Sequence, residues 1–216
     1  MARIKNGILG PIVGSIANVT GCVRLGVPVL KKKIQPAVLS KTRTPKQNGV
    51  TSKFKLAMEF IKPVTPFINV GFSLNRAPGQ TAHNVAVSKI LSQGIKGEFP
   101  EMELDFPNII ITQGELPGAE NPKVELVNGS VLSFSWDFDK DDLSDRKRDQ
   151  VMLLAYSPET KQAYFLKSGA RRSEGEEFLQ VYPELENQSY QTYISFISDD
   201  RQMIADSSYT GKINTL

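Results

Sequence analysis

The chain has 216 residues, 40% of them apolar, with 13 prolines and 16 glycines, which bounds it at one or two turn-rich domains. One cysteine, Cys22, excludes a disulfide framework, and one histidine, His83, leaves little material for metal or acid–base chemistry. The net charge of +3 conceals a division: residues 1–65 hold 12 basic residues against one acidic, Glu59, and are +11, while the remainder holds 14 against 22 and is −8.

A basic segment of this kind seeks phosphate, an anionic surface or an acidic protein neighbour. No apolar run approaches the roughly 18 uninterrupted residues of a spanning helix. At the N-terminus, Arg3 and Lys5 precede a short apolar stretch resembling a weak secretory signal, and Val19-Thr20-Gly21-Cys22 fits the pattern before a lipidated cysteine. Gly10, Pro11, Gly14 and Asn18 break that stretch, so the segment is expected to be retained, with cleavage at Cys22 the minority alternative. The compartment is left open.

Residues 1–43 read as a glycine-punctuated strand pair, built around Ile12-Val13 and Val27-Pro28-Val29-Leu30, followed by an extended basic arm. Pro36 and Pro45 push their predecessors toward extended geometry. Lys31, Lys32, Lys33, Lys41, Arg43, Lys46, Lys53 and Lys55 form the expected partner- or anion-binding set. Ile12, Val13, Val29 and Leu30 supply its apolar grip.

A two-helix element is expected over 44–100. The first helix starts near Thr44 with Pro45 at its first position, turns Phe54, Ala57, Met58 and Ile61 inward, and is interrupted by Pro63 and Pro66. The second runs from Thr81 to about Gln93, with Gly94 as a left-handed cap.

Residues 101–216 change to short β runs, expected at 108–112, 123–127, 131–138, 150–156, 162–167, 177–182, 190–198 and 208–214. Asn128-Gly129 is a strong hairpin signal. Leu132, Phe134 and Trp136 alternate with serines, and Ile194 and Phe196 mark the core side of their strand. The predicted fold class is mainly β, an antiparallel sandwich with the helical element on or beside it, α+β in total. The strands from Lys123 onward resemble a fibronectin-type-III or immunoglobulin-like module, with Leu185 followed by Tyr190 resembling the tyrosine corner.

The polar clusters have bland readings. Asp137, Asp139 and Asp141 match the opening of an EF-hand loop, but Asp142 stands where its glycine belongs and Arg148 where its glutamate belongs. His83 has no nucleophile motif to serve, and the Glu115/Glu120 pair belongs to a bend made by Gly114, Pro117 and Gly118. Three glycosylation sequons, at Asn18, Asn128 and Asn187, carry meaning only in a glycosylating secretory pathway. No catalytic residue, metal ligand or cofactor site is assigned.

Met1-Ala2-Arg3-Ile4-Lys5-Asn6-Gly7-Ile8-Leu9-Gly10, the segment Arg43-Thr44-Pro45-Lys46-Gln47, Gly114-Glu115-Leu116-Pro117-Gly118 and Ser207-Ser208-Tyr209-Thr210-Gly211 together resemble an uncharacterised protein family of Bacteroidota. The resemblance covers nearly the whole chain and departs at Pro11-Ile12-Val13, where a more glycine-rich turn is usual. Its motifs are structural, and it implies no activity.

The expected function is therefore a non-enzymatic structural or assembly module, a subunit of a larger particle, filament or phage-like structure, which self-associates or meets another subunit through its N-terminal segment. Two other classes stand beside it: a nucleic-acid-associated protein using the basic arm, and a surface adhesion or carbohydrate-contacting module.

Overall fold

The computed structural model describes residues 3–4, 10–33, 44–138, 145–185 and 187–215. At the N-terminus, β1 (Arg3–Ile4), β2 (Ile12–Ile16), β3 (Val19–Arg24) and β4 (Val27–Lys32) form an antiparallel sheet in chain order. Where a strand pair was expected, the structure has a four-stranded meander, and Lys31 and Lys32 belong to its last strand rather than to a free arm.

Helix α1 (Pro45–Gly71) opens with a reciprocal cap. Thr44 Oγ1 accepts from the Gln47 backbone N–H at 3.3 Å, and Gln47 Oε1 accepts from the Thr44 N–H at 3.0 Å. Pro63 and Pro66 do not interrupt this helix. Two internal prolines cost about 6 kcal/mol together. Against this, Phe60, Ile61, Val64, Phe67 and Ile68 are fully buried on one face, and each contributes about 1.5–3 kcal/mol. Packing outweighs the local penalty. Phe54, expected inside, is 48% exposed, because the buried stripe begins only at Ala57.

Helix α2 (Ala82–Gln93) is capped by Thr81, whose hydroxyl accepts from Asn84 N. Gly94 ends it with φ −96°, not in the left-handed region. Glycine is needed there for room, since a Cβ would lie 2.8 Å from Ile109 Cγ1. A short ladder of β5 (Ile95–Lys96) and β6 (Glu103–Leu104) follows. The strand expected at 108–112 is not one. Ile109 and Ile111 are buried in the helix-side core, but their backbone is irregular, with Ile111 N donating to Ser207 Oγ and Thr112 Oγ1 to the Ala205 carbonyl. A short β-branched run, buried at Ile109, Ile111 and Thr112, imitated a strand.

The remaining strands make a sandwich. β7 (Glu120–Leu126), β8 (Val131–Asp137) and β11 (Glu176–Gln180) form one sheet, in the order β11-β8-β7. β9 (Gln150–Ser157), β10 (Gln162–Leu166), β12 (Ser189–Ile197) and β13 (Ser208–Asn214) form the other, in the order β10-β9-β12-β13. Every pairing is antiparallel. The four-stranded sheet is covered twice. Val151, Leu153, Ala155, Ile194 and Phe196 face Leu132, Phe134 and Trp136 of the smaller sheet. Met152, Leu154, Tyr156, Tyr193 and Ile197 face α1 and α2. The molecule is therefore layered: small sheet, central sheet, helices.

The tyrosine corner is not made. The Tyr190 hydroxyl is buried without a hydrogen-bond partner, and burial pushes its pKa up to about 12. Gln188 holds the turn instead, its Oε1 accepting from Glu184 N at 2.8 Å and Leu185 N at 3.3 Å.

A shared sheet predicts shared unfolding. Phe60 sits edge-on to Tyr156, ring centres 4.8 Å apart, in the helix-side core. Phe60→Ala should cost about 3–5 kcal/mol and lower the urea midpoint reported by the single tryptophan, Trp136, which lies in the other core. A Trp136 transition left in place while helical circular dichroism melts early would show two independent units.

Candidate functional site

Two features outside the cores concentrate chemistry: the surface of the N-terminal sheet, and a buried arginine at the Gly114–Gly118 bend. In the N-terminal sheet, the pairings Ile16↔Val19, Gly21↔Leu30, Val23↔Pro28 and Val19↔Lys32 put these residues on one face. On it Leu30 is 63% exposed, Ile16 49%, Val23 46% and Val19 41%. Among the described residues the start of β2 covers its middle, at the buried Gly21, and leaves these four side chains exposed around it. Gly21 lies beneath the start of β2, where a Cβ would come within 2.2 Å of the Ile12 carbonyl oxygen. That close approach leaves a shallow groove lined by Gly10, Pro11, Ile12, Pro28, Val29 and Leu30. The opposite face carries Val13, Cys22 and Val27 by register, and Val27 lies against Gly79 in the connection between α1 and α2.

Of the expected grip, Ile12 and Leu30 share the groove's face, while Val29, although it lines the groove, pairs with Cys22 and so belongs by register with Val13 to the other face. Ile16, Val19 and Val23 were missed. Their signal was the alternation Ile12-Gly14-Ile16 and Val19-Gly21-Val23, whose glycines weaken an ordinary strand pattern. Lys31, Lys32 and Lys33 are exposed at the end of β4. Lys46, Lys53 and Lys55 stand on α1, where Lys55 approaches Glu59 at 4.0 Å, and Glu59 also takes Lys161 at 3.0 Å. Lys41 and Arg43 lie outside the described residues, as do Asp139, Asp141 and Asp142 of the acidic loop.

At the bend, Arg172 is 6% exposed and fully engaged. Its Nη1 and Nη2 donate to the carbonyls of Gly118 and Pro117 at 2.8 and 2.7 Å, and its Nε donates to Asp149 Oδ2 at 3.2 Å. The guanidinium stands 3.7 Å from the centre of the Phe196 ring, and Trp136 Nε1 donates to the Arg172 carbonyl at 2.7 Å. This array explains Leu116-Pro117-Gly118 as an anchor: its carbonyls satisfy a buried cation, and Leu116 N bonds to the Ile204 carbonyl. Burial pushes the Asp149 carboxyl above its ordinary range, opposed chiefly by Arg172, and burial lowers Arg172, opposed by Asp149.

A cleft of about 480 Å³ beside this anchor is lined by Glu115, Arg146, Arg148, Asp149, Asp199 and Asp200. Asp149 is committed to Arg172, and Asp200 accepts from Ser198 Oγ and Gln202 N, hydrogen bonds that hold its pKa below the usual value. His83 is half-buried on α2, away from these groups in the chain and not among the cleft's lining residues. Among the described residues, no three His, Cys, Asp or Glu side chains converge as metal ligands would, and no helix is long and apolar enough to cross a membrane.

Residues 11–211 match the model of a family of unknown function (DUF6266), and the chain belongs to that family. No curated protein matches it. Among solved structures, it is similar to the crystal structure of chicken CNTN1 FN1-FN3 domains at 15% identity and a TM-score of 0.34, over 48% of this chain and 33% of that one. That likeness is too low to carry an argument; the sandwich rests on the strand order and the two cores described above.

Breaking the buried pair should be costly in a pH-dependent way. Arg172→Met leaves Asp149 buried and uncompensated, at about 3–5 kcal/mol near neutral pH. A carboxyl raised in the folded state contributes stability that is present below its unfolded value of about 3.9 and lost as pH rises through its folded value. The variant's deficit should therefore shrink as urea unfolding is repeated toward that acidic limit, and Arg172→Met/Asp149→Leu should recover much of it at neutral pH. A deficit unchanged with pH would mean that lost packing, not the stranded charge, is responsible.

Proposed function

We propose that this protein is a non-enzymatic structural or assembly module whose N-terminal sheet makes contacts between subunits of a larger particle or filament. The observation that carries this reading is the set of exposed aliphatic side chains on one face of that sheet, Ile16, Val19, Val23 and Leu30. A sheet needs its hydrophobic side covered to be stable, and a contiguous exposed apolar patch marks an interaction surface.

The magnitudes favour a contact that needs help from charge. Burying the half-exposed Ile16, Val19, Val23 and Leu30 gains about 1 kcal/mol each, some 4 in total, by the usual scale for aliphatic side chains. Association itself costs about 4–15 kcal/mol in lost freedom. The apolar face alone therefore gives little net affinity. The lysines at the end of β4 add attraction to an acidic partner, which salt weakens, since the screening length is about 8 Å at physiological ionic strength.

The same lysines also suit phosphate, the basis of the nucleic-acid alternative. Against it, no aromatic residue occurs before Phe54, so the N-terminal segment holds no base-stacking platform.

Size-exclusion chromatography with light scattering at low and high salt tests the choice. The expected result is an oligomer that loosens but persists in high salt, and that is lost on deletion of residues 1–43 or in Leu30→Asp. A strict monomer that retards DNA at low salt would instead favour nucleic acid.

A further inference from the structure

The partner surface for the N-terminal sheet can be identified on this same chain. β11 is the open edge of the smaller sheet, paired only with β8. Between Ser173 and Gln188 the chain carries five carboxylates and not one lysine or arginine. Along that edge and the segment following it, Tyr182 is 64% exposed, Phe178 51% and Leu185 51%. Glu174, Glu176 and Glu184 are exposed among them. Glu174, Glu176 and Glu184 each accept one hydrogen bond within the chain, from Arg171 N, Ser133 Oγ and Gln162 Nε2, and keep their charge exposed. An apolar strip rimmed by carboxylates is the complement of an apolar face that carries Lys32, with Lys31 and Lys33 beside it at the end of β4.

We infer that the N-terminal sheet of one copy docks on the β11 edge of a second copy, with Leu30 and its neighbours against Phe178 and Tyr182, and Lys31 to Lys33 facing Glu176 and Glu184. The inference rests on the assembly reading above and names its partner. Layering argues for a second copy over self-contact. The N-terminal sheet touches the body at Gly79, between α1 and α2, on the helical side of the central sheet. β11 lies on the opposite side, beyond the inner core that the smaller sheet shares with the central one. The two patches cannot meet within one chain in this arrangement. Because the two patches lie on opposite sides of the body, one two-fold interface cannot engage both, so the contact is head-to-tail, and repetition gives a ring or an open filament.

The test uses the full chain with one patch altered at a time. Leu30→Asp spoils the sheet and Phe178→Asp spoils the edge; both side chains are more than half exposed, so folding is retained, as Trp136 fluorescence can verify. Each variant alone should sediment as a monomer in analytical ultracentrifugation, with self-association weakened at least tenfold. Mixed in equal amounts, they should form one-to-one dimers and nothing larger, since the Phe178→Asp copy keeps its sheet and the Leu30→Asp copy keeps its edge.

If Phe178→Asp, and likewise Glu176→Lys/Glu184→Lys, assembles as the unaltered protein does while Leu30→Asp does not, the β11 edge is not the partner and the assembly reading stands without it. Two monomeric variants that fail to pair on mixing overturn the head-to-tail contact in favour of a symmetric one. An unaltered chain that is monomeric, or Leu30→Asp assembling normally, overturns the assembly reading and this inference with it.

Discussion

β9 and β12 lie at the middle of an antiparallel sheet that is covered on both faces, and the position of every other element in the body follows from that. Antiparallel sheets commonly leave one face to water. Here every residue of β12 is buried, as is β9 from Val151 to Ser157. Alternate side chains enter different cores: Leu153 and Ile194 meet the smaller sheet, while Leu154 and Tyr193 meet the helices. Such a strand has no solvated side on which to place a polar residue. Apart from the Tyr190 hydroxyl, the buried polar side chains of β12 find their partners inside. Thr192 Oγ1 donates to the Gly211 carbonyl, Ser195 Oγ to the Ala205 carbonyl, and the Tyr193 hydroxyl to the Phe106 carbonyl at 2.9 Å. These bonds fasten the irregular segments at 106–112 and 204–207 against the sheet. Burial also drives the Tyr193 pKa well up, so the hydroxyl stays a donor at any ordinary pH.

The helices exist in their observed form for the same reason. α1 runs through two prolines because its face from Ala57 to Ile68 closes the second core. Where that core ends, so does the inward stripe, and the first turns of α1 carry Val50 and Phe54 into solvent at 71% and 48% exposure. The Arg172 anchor plays the corresponding part at one end of the sandwich. It fixes the chain that crosses from the helical layer to β7, at the expense of desolvating a charge pair that hydrophobic packing would serve as well.

Much of this was legible in the residues. Alternation at Leu132, Phe134 and Trp136, the turn at Asn128-Gly129, and the helix starts near Thr44 and Thr81 each act locally, and each is found where the sequence pattern put it. What was not legible depends on the second covering layer. A continuous apolar run such as Val151–Tyr156 does not say that helices will cover one side of it. Nor does a proline say how much burial waits beyond it. Ile109 to Thr112 mimic a strand because a coil pinned by Ser207 can also bury a run of β-branched residues. Arg172 carries no sequence mark distinguishing it from the exposed Arg171 beside it.

The N-terminal sheet inverts the logic of the body. Its strands have register and hydrogen bonds, including a Ser15–Thr20 hydroxyl pair at 3.0 Å, but neither face encloses a core. Gly14 and Gly21, paired across β2 and β3, remove the side chains that would have filled its centre. What remains is an apolar perimeter of Ile16, Val19, Val23 and Leu30 around a shallow floor. A surface of that shape receives a protruding side chain better than it packs against a flat one. Phe178 on β11 presents an exposed ring, and Tyr182 just beyond the strand is exposed too, although its ring rests against Tyr164 with centres 5.8 Å apart. The element least able to stabilise itself is thus the one whose shape and charge call most directly for a neighbour.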